Sequence, residues 1–187
     1  MRLSPSYPIT TRRLRLRPLA AGDLEGLLAY RSLPEVCRYL PFEPMDEAVI
    51  LQRLAGDWSR TELTEPGQAL TLGIELSECG TLIGDLVLFF HSELHRGGEL
   101  GWVINPRYGG QGYATEAAAA LTDLAFYVLG LRRLVARIDA RNLASQRLAV
   151  RLGMRQEAHL VQNEFFKGEW SDEINFGILR SEWNQAR

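Results

Sequence analysis

The spacing of apolar residues changes period along this chain, and each change marks an element. Leu14, Leu16 and Leu19 alternate with Arg15 and Arg17 around Pro18, a period-two pattern that predicts a half-buried first strand. From Asp23 the period lengthens: Leu24, Leu27, Leu28 and Tyr30 fall on or near one helical stripe, which Pro34 breaks. Asp46 is placed to cap a second helix with Val49, Ile50, Leu54 and Trp58 on its buried side, and Pro41 and Pro44 shape the link. After a polar loop over 61–68 with Pro66 and Gly67, strands are predicted at 69–76, 81–91 and 98–104. The connections between them are too short for a crossover, so they form an antiparallel meander.

Helical spacing returns over about 113–129, closed by Gly130, with Ala114, Ala117, Ala118, Leu121, Ala125 and Val128 toward the sheet. A strand at 133–140, a helix at 144–152 stopped by Gly153, and strands around 159–166 and 174–179 complete the pattern. The expected fold class is therefore α/β of the α+β type, a mixed sheet of about seven strands with helices on both faces. A length of 187 residues suits one domain, 1–187, with a short Pro-containing arm at 1–10.

Charge and composition narrow the function classes. A net charge of −2 without an obvious basic patch disfavours nucleic acid as a partner. The longest apolar run, 86–90, is far short of the roughly 20 residues that cross a bilayer, and the first residues lack an apolar signal core. Only Cys37 and Cys79 could form a disulfide; in separate segments, they read as packing residues of a cytoplasmic protein without a membrane partner. Basic residues are nearly all arginine, Lys167 being the one lysine. His91 and His95 flank Glu93 at a strand end and turn, a poor metal set, so no metal is expected; His159 reads as a packing or hydrogen-bonding residue.

The chemistry concentrates between Glu99 and Ala117, where a strand runs through a glycine-rich turn directly into a helix. Gly109, Gly110 and Gly112 allow unusual backbone angles and close approach, and the first helical N–H groups aim a positive dipole end at the same volume. A pyrophosphate is the natural occupant. The turn lacks the lysine and Ser/Thr of a Walker loop and the spacing of a dinucleotide-binding fold.

Arg107-Tyr108-Gly109-Gly110-Gln111-Gly112 resembles the R/Q-x-x-G-x-G/A signature of GNAT acetyltransferases, and Asn142 to Ser145 followed by Leu152-Gly153-Met154 resembles that family's next strand–helix block. The opening 11–19 and Arg38-Tyr39-Leu40 are similar to the RimJ/RimL branch, which acetylates ribosomal-protein N-termini; the likeness spans about 11–183. The resemblance implies acetyl-CoA as the cofactor and an amine acceptor, with a peptide or protein N-terminal α-amine expected first. A small-molecule amine such as an antibiotic or polyamine, or a non-catalytic acyl-CoA-binding module, are the alternatives.

The same resemblance implies a pyrophosphate cradle from Arg107, Tyr108, Gly109, Gly110, Gln111, Gly112, Tyr113 and Ala114, and a pantetheine arm along Trp102, Val103 and Ile104 with Asn142 beside it. Glu99 is the first expectation for the base, acting through water, ahead of Glu164, Asp139 and Glu43. Ser145 is expected to hydrogen-bond the departing sulfur, because Ala149 stands where many relatives have a thiolate-protonating tyrosine. Tyr39, Phe42 and Glu43 are expected beside the acceptor. Oligomeric state is left open between monomer and homodimer.

Overall fold

The fold is that of a computed structural model, which describes residues 1–185. Residues 186 and 187, the end of the expected domain, lie outside the described residues. The elements are β1 (Ile9–Thr10), β2 (Leu14–Pro18), α1 (Leu24–Arg31), α2 (Pro34–Cys37), α3 (Glu47–Ala55), β3 (Ala69–Leu76), β4 (Leu82–Ser92), β5 (Gly97–Ile104), α4 (Tyr113–Asp123), β6 (Arg133–Asp139), α5 (Leu143–Arg151), β7 (Arg155–Phe166), β8 (Glu169–Leu179) and α6 (Arg180–Gln185). One sheet holds all eight strands in the order β1-β2-β3-β4-β5-β6-β8-β7. The expected mixed α/β class and the antiparallel meander hold; β5 and β6 alone run parallel.

Alternation on β3 shows how the layers form. Leu70, Leu72, Ile74 and Leu76 pack with Leu86, Leu88 and Phe90 of β4 against Ala117, Ala118 and Leu121 of α4. The opposite face of β3 meets a second cluster, where Leu27 and Tyr30 of α1, Ile50 and Leu54 of α3, Trp58, Leu82 and Val103 are buried. Gly73 belongs to that face: a Cβ there would lie 2.8 Å from both Leu19 and Leu82. Asp46 caps α3 as expected, accepting from the Val49 amide at 2.9 Å.

In the arm at 1–10, Ile9–Thr10 adds an edge strand to β2 and buried Leu3 pairs with Leu63. Three local expectations need correction. Val49 is 39 % exposed, because α3 buries only a narrow stripe through Ile50 and Leu54. The helix over 113–129 ends α-helical winding at Asp123 and continues as a π turn, Leu124–Val128, in which the Leu129 amide bonds the Leu124 carbonyl. That wider turn rotates the buried face onto Phe126 and Leu129 and leaves Val128 56 % exposed. Cys37 is buried, whereas Cys79 sits exposed in the β3–β4 turn and so is no packing residue.

The feature that positions a site is the parting of β5 from β6. Their pairing covers only Gly97–Glu99 against Arg133–Val135. Beyond Glu99, β5 runs on to Ile104 against β4 alone, and β6 runs on to Asp139 against β8. The sheet therefore opens into a wedge at its centre.

Candidate active site

A cavity of about 600 Å³ fills this wedge. Trp102, Val103 and Ile104 form one wall, Asn142, Ser145 and Leu148 the other, and the glycine turn with Tyr113 and Ala114 the end. Gly110 (φ 75°) and Gly112 (φ 80°) occupy the left-handed region that non-glycine residues disfavour. Gly112 is the N-cap of α4 and offers no side chain, so the first-turn N–H groups await an external acceptor. An uncapped helix start behind two glycines, opening onto an unpaired strand edge, fits a long ligand with an anionic middle and a peptide-like arm.

The surroundings fix that turn. Glu116 in the first turn of α4 accepts from Thr11 Oγ1 at 2.6 Å, the Arg13 amide at 2.8 Å and Arg13 Nε at 2.7 Å. Arg13 also donates to the Gln111 carbonyl at 3.0 Å and stacks 4.3 Å from the Tyr113 ring centre. Burial works against the Glu116 charge, yet the bonds from Thr11 and Arg13 hold its carboxyl below the usual carboxylate range. On the other wall Asn142 caps α5 by accepting from the Ser145 amide at 3.1 Å, and Trp102 Nε1 donates to Ser145 Oγ at 3.2 Å.

The family model of the acetyltransferase (GNAT) domain matches residues 13–155. The chain belongs to the GNAT acetyltransferase family. Across 179 residues it is 32 % identical to the uncharacterized N-acetyltransferase YnaD of Bacillus subtilis (strain 168), covering 94 % of this chain and 99 % of that protein. It is 27 % identical over 170 residues to the spermidine N(1)-acetyltransferase of Escherichia coli (strain K12), covering 91 % and 88 %. The crystal structure of a GNAT-family acetyltransferase from Bacillus anthracis superposes with a TM-score of 0.79 at 26 % identity, covering 97 % of this chain and 99 % of that one. As a GNAT N-acetyltransferase the protein is an acyltransferase with acetyl-CoA as donor.

The GNAT cleft gathers most, not all, of the residues expected from the sequence. Trp102, Val103, Ile104, Tyr108, Gly109, Gly110, Gly112, Tyr113, Ala114, Asn142 and Ser145 line the cavity. Arg107 and Gln111 are exposed outside its lining, Gln111 meeting Arg13 through its carbonyl. Glu99 lies where the two strands part, 3.0 Å from His91 Nε2 and 3.4 Å from Arg137 Nε. Tyr39 lines the cleft; Phe42 instead packs in the α1–α3 cluster with Arg31 over its ring, and Glu43 is exposed away from the cavity. Asp139 is occupied by Arg141, which bonds it through the backbone amide and the guanidinium at 2.7–2.9 Å.

Sequence reasoning missed two further features. Arg151, at the end of α5, lines the cleft and reaches Thr115 Oγ1 at 3.3 Å, a juxtaposition of two helix ends that no local motif signals. A second cavity of about 130 Å³ adjoins the first and shares Tyr39 and Leu40 with it. Glu173 of β8 lines it, buried at 7 % exposure, with Glu164 of β7 beside it. Burial, then the neighbouring Glu164 carboxylate, raise the Glu173 carboxyl above the usual range. Among the described residues no helix is long and apolar enough to cross a membrane, and no group of three or more His, Cys, Asp or Glu is gathered for a metal ion.

Proposed function

We propose that this GNAT protein acetylates a primary amine that enters the wedge from the side of Tyr39 and the β7–β8 hairpin. The observation that carries the reading is the parted strand pair ending at an uncapped, glycine-fronted helix. When bound, acetyl-CoA supplies the activated acetyl group. The N–H groups of Gly112, Tyr113 and Ala114 would hold its pyrophosphate, with Gln111 and Arg107 at the margin, and the open edge of Trp102 to Ile104 would take the pantetheine amides. A backbone N–H on that edge is suited to bind the oxygen on which negative charge develops, worth about 3–4 kcal/mol where such donors have been removed.

Glu99 takes the proton released as the C–N bond forms, acting through water because Arg137 and His91 already hold its carboxylate. Ser145 Oγ, receiving the Trp102 indole N–H, keeps its own proton to donate toward the departing sulfur. Asn142 uses its carbonyl to cap α5, which leaves its amide N–H₂ for the pantetheine arm.

Two acceptor classes fit this reading. A peptide or protein α-amine is supported by the RimJ/RimL-like opening of the chain, and by acidity: about 14 % of α-amines but about 0.04 % of lysine amines are neutral at pH 7. A small polycationic amine is supported by the spermidine-acetylating relative and by the acidic second cavity. The test is CoA release measured over free and N-terminally blocked peptides and small mono- and diamines. Equal release with free and blocked peptides removes the α-amine class, and failure of calorimetry to detect CoA binding removes the cofactor site.

A further inference from the structure

The second cavity is walled by the Tyr39–Pro41 turn, the end of β6 and the β7–β8 hairpin. Four carboxylates face it, and two of them are neutralised locally. Asp139 is bonded by Arg141, and Asp172 by His159 at 2.8 Å and the Gln162 amide at 2.9 Å. Arg137, the guanidinium in the lining, pairs with Glu99 at 3.4 Å, and its charge lowers the Glu173 carboxyl without offsetting the burial and the Glu164 neighbour that raise it. Among the described residues neither Glu164 nor Glu173 has a cation within ion-pair distance.

Glu173 is more than nine-tenths buried, and its hydrogen-bonding neighbour is another carboxyl. A buried acid in that position is unsatisfied as a pair of anions, and it lines a cavity that adjoins the acetyl-transfer cleft at Tyr39 and Leu40. A cation with several N–H donors relieves the conflict, because it neutralises the pair and bonds both carboxylates at once.

We propose that this cavity binds the distal ammonium of an aliphatic di- or polyamine between Glu164 and Glu173, while its other amine lies in the wedge beside Val103. The proposal rests on the amine-acetylation reading and selects the small polycationic class within it. Burial and the neighbouring Glu164 raise the Glu173 carboxyl, and an ammonium seated between the two offsets that penalty.

The test titrates CoA-saturated protein with 1,4-diaminobutane and with butylamine, by calorimetry. The expected result is diamine binding at least about tenfold tighter than monoamine binding. In Glu173→Gln and Glu164→Gln that preference should fall toward unity while CoA affinity is retained. Glu164 is exposed, so its variant keeps the test valid should the Glu173 variant fail to fold. Equal affinity for the two amines, or a preference that both variants retain, overturns the proposal and marks the pair as a structural contact. Diamine binding that depends on Glu164 and Glu173, without turnover of any amine, upholds the subsite and sinks the acetyl-transfer reading instead.

Discussion

Gly112 carries two constraints at one position: a left-handed backbone and a place directly before the first free N–H groups of α4. Gly112→Asp adds a strained φ, a side chain within reach of Arg13 and a negative charge where phosphates are expected. CoA affinity measured by calorimetry should fall at least about tenfold. Glu99→Gln keeps the shape of the carboxylate and removes its basicity. It should lower kcat/KM by about 100-fold with CoA affinity unchanged; an unaltered kcat/KM would retire Glu99 as the base. At this scale the cofactor wall was readable because glycines and a strand–helix junction are contiguous in the sequence. Glu173 was not, since its meaning comes from Glu164 across a hairpin and from a cavity that three distant segments close.

Between elements, the contacts that set the wedge are ionic. Asp85 of β4 stands opposite Val103 of β5 and binds buried Arg31 of α1, with the Tyr30 hydroxyl donating to the same carboxylate. Burial and Asp85 together push the Tyr30 phenol well above its ordinary value. Asp85→Asn strands the Arg31 charge and should cost about 3–5 kcal/mol in urea unfolding, whereas replacing Arg31 and Asp85 together by Met and Leu should recover most of it. The β1–β2 turn that carries Arg13 is held to α4 through Glu116, whose carboxyl lies below the usual range. The stability it contributes is present above its unfolded pKa and is lost as pH falls through the depressed folded value. Glu116→Gln should therefore cost about 1–2 kcal/mol at pH 7, solvent screening included, and the deficit should shrink in melts taken below about pH 4. The meander was legible because β3 and β4 alternate cleanly against one core. The last hairpin was read too short, since most of β7 is solvent-exposed and its polar residues carry no period, while the π turn after Asp123 leaves no mark in composition.

Taken as a molecule, the protein splits its sheet to make room for a cofactor, so occupancy and stability are linked. CoA at about one hundred times its dissociation constant should add about 2.7 kcal/mol, or roughly 5–10 °C in melting temperature at this size. Absence of any shift by scanning fluorimetry would show that the wedge is not the cofactor site. The tip of the β7–β8 hairpin is the left-handed pair Lys167–Gly168, and Lys167 Nζ donates to the Cys37 carbonyl at the end of α2, joining the two elements that flank the acceptor entrance. Because Lys167 is also the one lysine in the sequence, an amine-directed reagent meets a single side-chain ammonium there. Peptide mass fingerprinting of partially labelled protein thus becomes a gauge of how often that tether lets go.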